Sequence, residues 1–269
     1  MESNRLFAPA LLTAIAASCA LLVFTSVCAR PSDAGQAPPS ASTDPPLTET
    51  RLPVHNLLRE DIFAGFLAND MKRFARGEKN IDRLMELRPT QKANLLAWKG
   101  GATMFRAVLA HEGHHADEFK TKYKLALDQL SEAAKLKTGN DGVAAITGGS
   151  FSFFADRLPK ENQAAAWAQA YDAYQTLWKA QSSVIASLPE HFKGEVLSGL
   201  AKTAERTGRK EEAAQYLDKM ITMLHDTPYE AAAKEWKSNP ASTTSTQINC
   251  LGCHEAGRLA ARIAKLETN

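Results

Sequence analysis

The stretch 196-VLSGLAKTAERTGRKEEAAQYLDKMITMLHDTP-228 decides how this chain folds. Leu197, Leu200, Ala201 and Ala204 recur at three- and four-residue spacing, which places them on one face of a helix. Gly208 interrupts, and then Ala213, Ala214, Leu217, Met220, Ile221 and Leu224 resume the same period. Two amphipathic helices separated by a single break bury their apolar faces most economically against each other. Small residues let the backbones approach, larger ones fill the groove, and the glycine ends the first helix.

Outward from this hairpin the period persists. Trp167, Ala170, Tyr171, Tyr174, Leu177 and Trp178 line another helix face, and apolar residues keep helical spacing from about Asn56 to Trp236. Short alternating β-branched runs are scarce, so no strands are expected. Pro89, Gly139-Asn140-Asp141-Gly142, Gly148-Gly149, Pro159 and Pro189 read as breaks, which divide the region into roughly seven to nine helices.

On these residues the 196–228 segment resembles a tetratricopeptide repeat. A looser copy begins at Trp98, Gly101-Ala102 and Phe105 and resumes at Ala126, Leu130 and Ala133, with an insertion expected in its turn. The resemblance implies an all-α fold, a solenoid of antiparallel helix pairs with protein partners bound along the repeat face. The aromatic stripes read first as core.

The ends differ from the middle. Residues 1–29 carry an uncharged apolar run that closes at Val27-Cys28-Ala29, the profile of an export signal, with an uncleaved membrane anchor or lipidation at Cys28 as rivals. Residues 30–50, rich in Pro, Ser and Thr, read as a disordered tether. The helical domain is then 51–237, and 238–269 forms a polar connector and a tail. The expected location is periplasmic or membrane-tethered facing the periplasm, with membrane contact only through the N-terminal segment. A formal charge of +2 gives no reason to expect a nucleic-acid partner.

The tail carries "INCLGCHEAGR", residues 248–258. Cys19 and Cys28 belong to the export segment, so the exported part holds only Cys250 and Cys253. In Cys250-x-x-Cys253-His254 two thiols are placed to add across the vinyl groups of one haem, and the next residue supplies an imidazole to the iron. One covalent haem c is expected, attached at Cys250 and Cys253 with His254 as axial ligand, for electron transfer, with a redox partner, or for haem-based binding of a small ligand. A structural zinc site lacks a fourth ligand, a redox dithiol lacks its usual βαβ setting, and a plain cysteine pair stays open beside them. The segment that follows, "EAGRLAARIAKLETN", places Leu259, Ile263 and Leu266 at helical spacing and contains neither Met nor a second His. The opposite axial ligand must therefore come from the helical domain, or the iron stays five-coordinate. The position near the C-terminus, with Arg258 after the motif, is similar to cytochromes c′, which implies a motif on the last helix and an iron with an open face.

A second motif, His111-Glu112-Gly113-His114-His115, matches H-E-x-x-H. On a continuous helix His111 and His115 would hold zinc and Glu112 would act as general base, making the chain a zinc hydrolase. Gly113 weakens that helix and no third ligand is evident, so zinc is the weaker alternative and one of these histidines is a candidate sixth haem ligand. His55, His191 and His225 read as surface or helix-end residues. Between the haem protein and the zinc hydrolase stands a third function, a non-catalytic interaction scaffold.

Overall fold

Helices occupy most of the residues that the computed structural model describes, 45–136, 140–240 and 257–268, and no strand occurs among them. In chain order they are α1 (Val54–Ala68), α2 (Met71–Leu87), α3 (Lys92–Glu112), α4 (Ala116–Lys135), α5 (Asn140–Phe154), α6 (Lys160–Gln181), α7 (Glu190–Arg206), α8 (Lys210–Met223), α9 (Pro228–Ser238) and α10 (Arg258–Glu267). The fold is all-α, as the helical period requires. The N-terminal segment expected to direct export, most of the expected tether, and Cys250, Cys253 and His254 lie outside the described residues.

Successive helices pair as hairpins, α1 with α2, α3 with α4, α5 with α6 and α7 with α8, and α9 packs on α8. The first helix of each hairpin also touches the first helix of the next, from α1 through α3 and α5 to α7. Prolines set several starts. Pro159 and Pro189 precede α6 and α7, and Pro228 occupies the first turn of α9.

The quoted hairpin is α7 and α8. Leu197, Leu200, Ala201 and Ala204 are fully buried, and Ala213, Leu217 and Met220 nearly so. Gly208, at φ +81°, closes α7 with a Schellman pair: its N–H donates to Glu205 O, and the Arg209 N–H donates to Ala204 O. The α3–α4 turn closes in the same way with His114, at φ +60°, in the glycine's place: His114 N–H donates to His111 O and His115 N–H to Ala110 O.

Two sequence expectations are corrected. The looser copy has no insertion in its turn, because only Gly113, His114 and His115 join α3 to α4. The extra residues lengthen the helices instead, to 21 and 20 residues against 17 and 14 in α7 and α8. Gly148-Gly149 breaks nothing, since α5 runs through it. Gly148 is small because the Tyr174 ring of α6 lies over it, where a Cβ would stand 2.9 Å from Cδ2. Gly199 on α7 receives the other side of that ring. Tyr174 is thus a key between α5, α6 and α7.

The core has two parts. The first joins α1 to α6 around Phe74, Phe105, Phe151 and Phe154; the second joins α6 to α9 around Leu197, Leu200 and Leu217. The end of the tether belongs to the fold as well, because Arg88 donates to the carbonyls of Leu47, Glu49 and Leu52 and Leu47 packs on the first core. The Gly199→Val substitution tests the Tyr174 key. Overpacking there should lower stability by about 2 kcal/mol in urea unfolding; an unchanged midpoint contradicts it.

Candidate functional site

The tail helix α10 is where the predicted haem segment meets the fold. Leu259 is buried, and Ile263 and Leu266 pack on the first core, so the predicted apolar stripe faces α1. Both ends of α10 are held by polar groups around α1. The Glu60 carboxylate accepts from Gly257 N at 3.2 Å and from Leu259 N, taking up N–H groups that the helix itself cannot satisfy. At the other end Arg51 Nη1 donates to Leu266 O at 2.8 Å. With Glu60 at the head and Arg51 at the foot, α10 runs antiparallel to α1.

Glu60 is itself well placed for this role. Its carboxylate is almost buried, and Arg73 stands 3.9 Å away. Arg73 Nε also donates to Asp61 at 3.0 Å, and Arg76 forks onto the same Asp61 carboxylate at 2.6 and 2.5 Å. The α1–α2 hairpin therefore carries a buried ionic network whose outer member receives the tail.

Around the head of α10, four helices bring titratable groups to face one another: His55 and Arg59 from α1, His191 and Glu195 from α7, Tyr229 from α9, and Arg258 and Arg262 from α10. Tyr229 reaches the site because Gly194 has no side chain, and its ring crosses α7 at that point. Its hydroxyl lies 3.1 Å from His191 Nδ1, and His191 Nε2 lies 3.4 Å from Glu195 Oε2. Burial and the positive charge of Arg59, Arg258 and Arg262 hold the His191 imidazole below its ordinary pKa. Burial, with Arg59 and Arg262, does the same to His55. Glu195 is raised by desolvation, with Arg59 opposing, although about half of its side-chain surface meets solvent.

One turn beyond Glu60 on α1, half-buried Phe63 begins an aromatic patch: Phe66 lies at 5.4 Å and Phe153 at 6.4 Å between ring centroids. Around the head of α10 the described residues thus bring His191, whose pKa is lowered, within electrostatic range of Arg59, Arg258 and Arg262, and the Phe63, Phe66 and Phe153 rings follow along α1 and α5. These are the kinds of group that a haem would use, since it needs a nitrogen for its iron, cations for its propionates and apolar contact for its ring.

The second motif adopts another geometry. α3 ends at Glu112, Gly113 to His115 form the turn, and His115 is the residue that precedes α4. His111 and His115 therefore do not lie a turn apart on one helix, the arrangement that a helical H-E-x-x-H zinc site needs. The Schellman closure is the cause. Glu112 spends both oxygens on Arg157, at 2.8 and 2.9 Å, which holds its pKa below the usual carboxylate value, and His111 packs on the Phe119 ring. The Glu112–Arg157 pair forms the polar wall of an open cleft of about 430 Å³ lined also by Phe66, Asn69 and Phe105.

Among the described residues, His225, Asp226 and Glu230 bring ligand-type atoms within 4.8 Å of one another. Glu230 is already engaged by Asp226 N at 2.7 Å and Lys234 Nζ at 2.7 Å. Among the same residues no helix is long and apolar enough to cross a membrane.

Sequence reasoning passed over His55, His191, Glu60 and Tyr229. The one available signal was that His191 follows Leu188-Pro189 at a helix start; its partners come from three other helices. Comparison with protein-family models, curated proteins and solved structures finds no match for this chain.

Two predictions follow from this geometry. Glu60→Ala should free α10, lowering hydrogen-exchange protection of residues 259–266 by roughly tenfold or more while α7 and α8 keep theirs; unchanged protection contradicts the anchor. For His55 and His191 the folded pKa lies below the unfolded value, so the unfolded chain binds more protons as pH falls below about 6.5. Their contribution to stability is full above that range and is lost as pH drops toward the folded values. A histidine NMR titration should place both below 6.5, and a midpoint above it for His191 overturns the electrostatic description.

Proposed function

We propose that this protein is an exported c-type haem protein in which a tetratricopeptide-like helical scaffold presents one covalent haem for electron transfer. The observation that carries this reading is the continuity between motif and anchor. Cys250-x-x-Cys253-His254 is followed after two residues by Gly257, where the Glu60 carboxylate accepts from the head of α10.

The haem supplies the one-electron chemistry when bound. The chain's own residues do the rest. Glu60 and Arg51 fix the tail helix, Arg59, Arg258 and Arg262 offer charge to two propionates, and Phe63, Phe66 and Phe153 offer an apolar flank. The hairpins, stacked first helix to first helix, supply faces for a protein redox partner, as the repeat resemblance implies. The zinc hydrolase gains no support from a motif folded as a helix stop with its glutamate held by Arg157. An interaction scaffold with a plain or zinc-bound cysteine pair is the competing reading, and it shares the same helix pairs.

The mass of the mature protein, made with the haem maturation machinery, separates the two. One haem added covalently, lost in the Cys250→Ala/Cys253→Ala variant, is the expected result. Full export without added haem overturns the proposal and favours the scaffold. The same mass reports whether the first 29 residues are removed or Cys28 carries lipid.

A further inference from the structure

We infer that the open cleft between the C-terminal ends of α1 and α3 binds a small organic cation, an ammonium group carried on an apolar body. The site is separate from the tail and does not depend on the haem proposed above.

The cleft, about 430 Å³, is large enough for such a ligand. Five consecutive residues, Gly65 to Asn69, line it, and a helix presents five consecutive residues to one cavity only at its end. α1 stops there because Asn69 adopts the left-handed conformation, at φ 53°. Its N–H turns back to Gly65 O at 3.1 Å, and Asp70 N–H donates to Ala64 O at 3.0 Å. That closure leaves the carbonyls of Phe66, Leu67 and Ala68 without a donor among the described residues. α3 brings a second C-terminus, with Glu112 as its last residue. Partial negative charge gathers at both helix ends.

Arg157, from the turn between α5 and α6, forms the remaining polar wall and spends Nε and Nη2 on the Glu112 carboxylate. As a unit that pair is neutral. The field left in the cleft is therefore that of the unserved carbonyls and the two helix ends, and it is negative. Arg157 also shows what this wall can hold. Its guanidinium lies 5.6 Å from the Phe105 ring centroid and 5.8 Å from that of Phe154, so aromatic faces and Glu112 already stabilise one cation. Each Glu112 oxygen keeps a further lone pair, and an ammonium has three N–H donors to divide between that carboxylate and the carbonyls of α1. The floor selects an organic cation over a metal ion. Phe66, Leu67, Phe105 and Leu109 supply apolar contact and no side-chain oxygen, whereas a hard metal ion requires six or more oxygen ligands.

The test is titration of the full-length protein with phenethylamine, which is protonated at neutral pH, followed by calorimetry and by amide chemical shifts. Phenethyl alcohol and phenylacetate, of similar size but neutral and anionic, are the controls. Saturable binding of the amine with a Kd of about 1 mM or tighter is expected, with the largest shifts at residues 65–69 and 112. Glu112→Gln and Arg157→Gln break the same ion pair, so a purely structural effect moves both variants alike. A cation site moves them apart: Glu112→Gln should weaken amine binding about fivefold or more, and Arg157→Gln, which frees Glu112 for the ligand, should strengthen it by a similar factor. Circular dichroism and urea midpoints confirm that both variants fold. Absence of amine binding, equal or tighter binding of either control, shifts centred elsewhere, unchanged affinity in Glu112→Gln, or two variants that move in the same direction overturn the inference. None of these results bears on the covalent haem, which the mass measurement decides.

Discussion

A buried carboxylate at the head of a helix ties the tail of this molecule to its first hairpin. A helix as short as α10, 10 residues long, does not persist in water on its own. It is stable here because Leu259, Ile263 and Leu266 cover the first core and because Glu60 and Arg51 satisfy its two ends. Glu60 lies beside Arg73, one of the two arginines that compensate Asp61, so the site for the tail is part of the α1–α2 hairpin. The end of the chain is thereby tied to its first helix.

That tie also brings α10 within electrostatic range of α7. Hairpins stacked through α1, α3, α5 and α7 place α7 within electrostatic reach of α1, and α10 contributes its arginines to the gap between them. Desolvation and the nearby arginines lower the pKa of both His191 and His55 there. Separately, the helix-end chemistry that closes α7 at Gly208 closes α3 at His114. One backbone device thus accounts both for the repeat-like hairpin and for a histidine cluster that resembles a zinc motif in the linear sequence.

Much of this was legible in the sequence, for physical reasons that also mark where legibility stops. The α7–α8 hairpin could be read because its period and its glycine are local. The amphipathic stripe of α10 could be read for the same cause. Gly148-Gly149 misled because glycine marks either a helix end or a close approach, and the deciding partner, Tyr174, lies on another helix. The three-residue turn between α3 and α4 was missed because added length can go into the helices as readily as into the loop. Glu60 gave no signal, since its partner Leu259 lies 199 residues away. His191 looked like an ordinary helix-start residue until Tyr229, Arg59 and Arg258 were placed around it. Local periodicity reveals elements; a site assembled from α1, α7, α9 and α10 does not have a local pattern.

Central to this reading is a covalent haem carried by the tail that Glu60 anchors to α1. The iron of such a haem is a built-in paramagnetic probe, and the chain has seven histidines. Selective histidine labelling, comparing oxidised with reduced protein, reports which rings lie near it. The prediction is that His254 is shifted and broadened most strongly while His114 and His225 keep sharp, unshifted signals. Identical histidine signals in both oxidation states, or strong broadening of His114 with an unaffected His254, would contradict it.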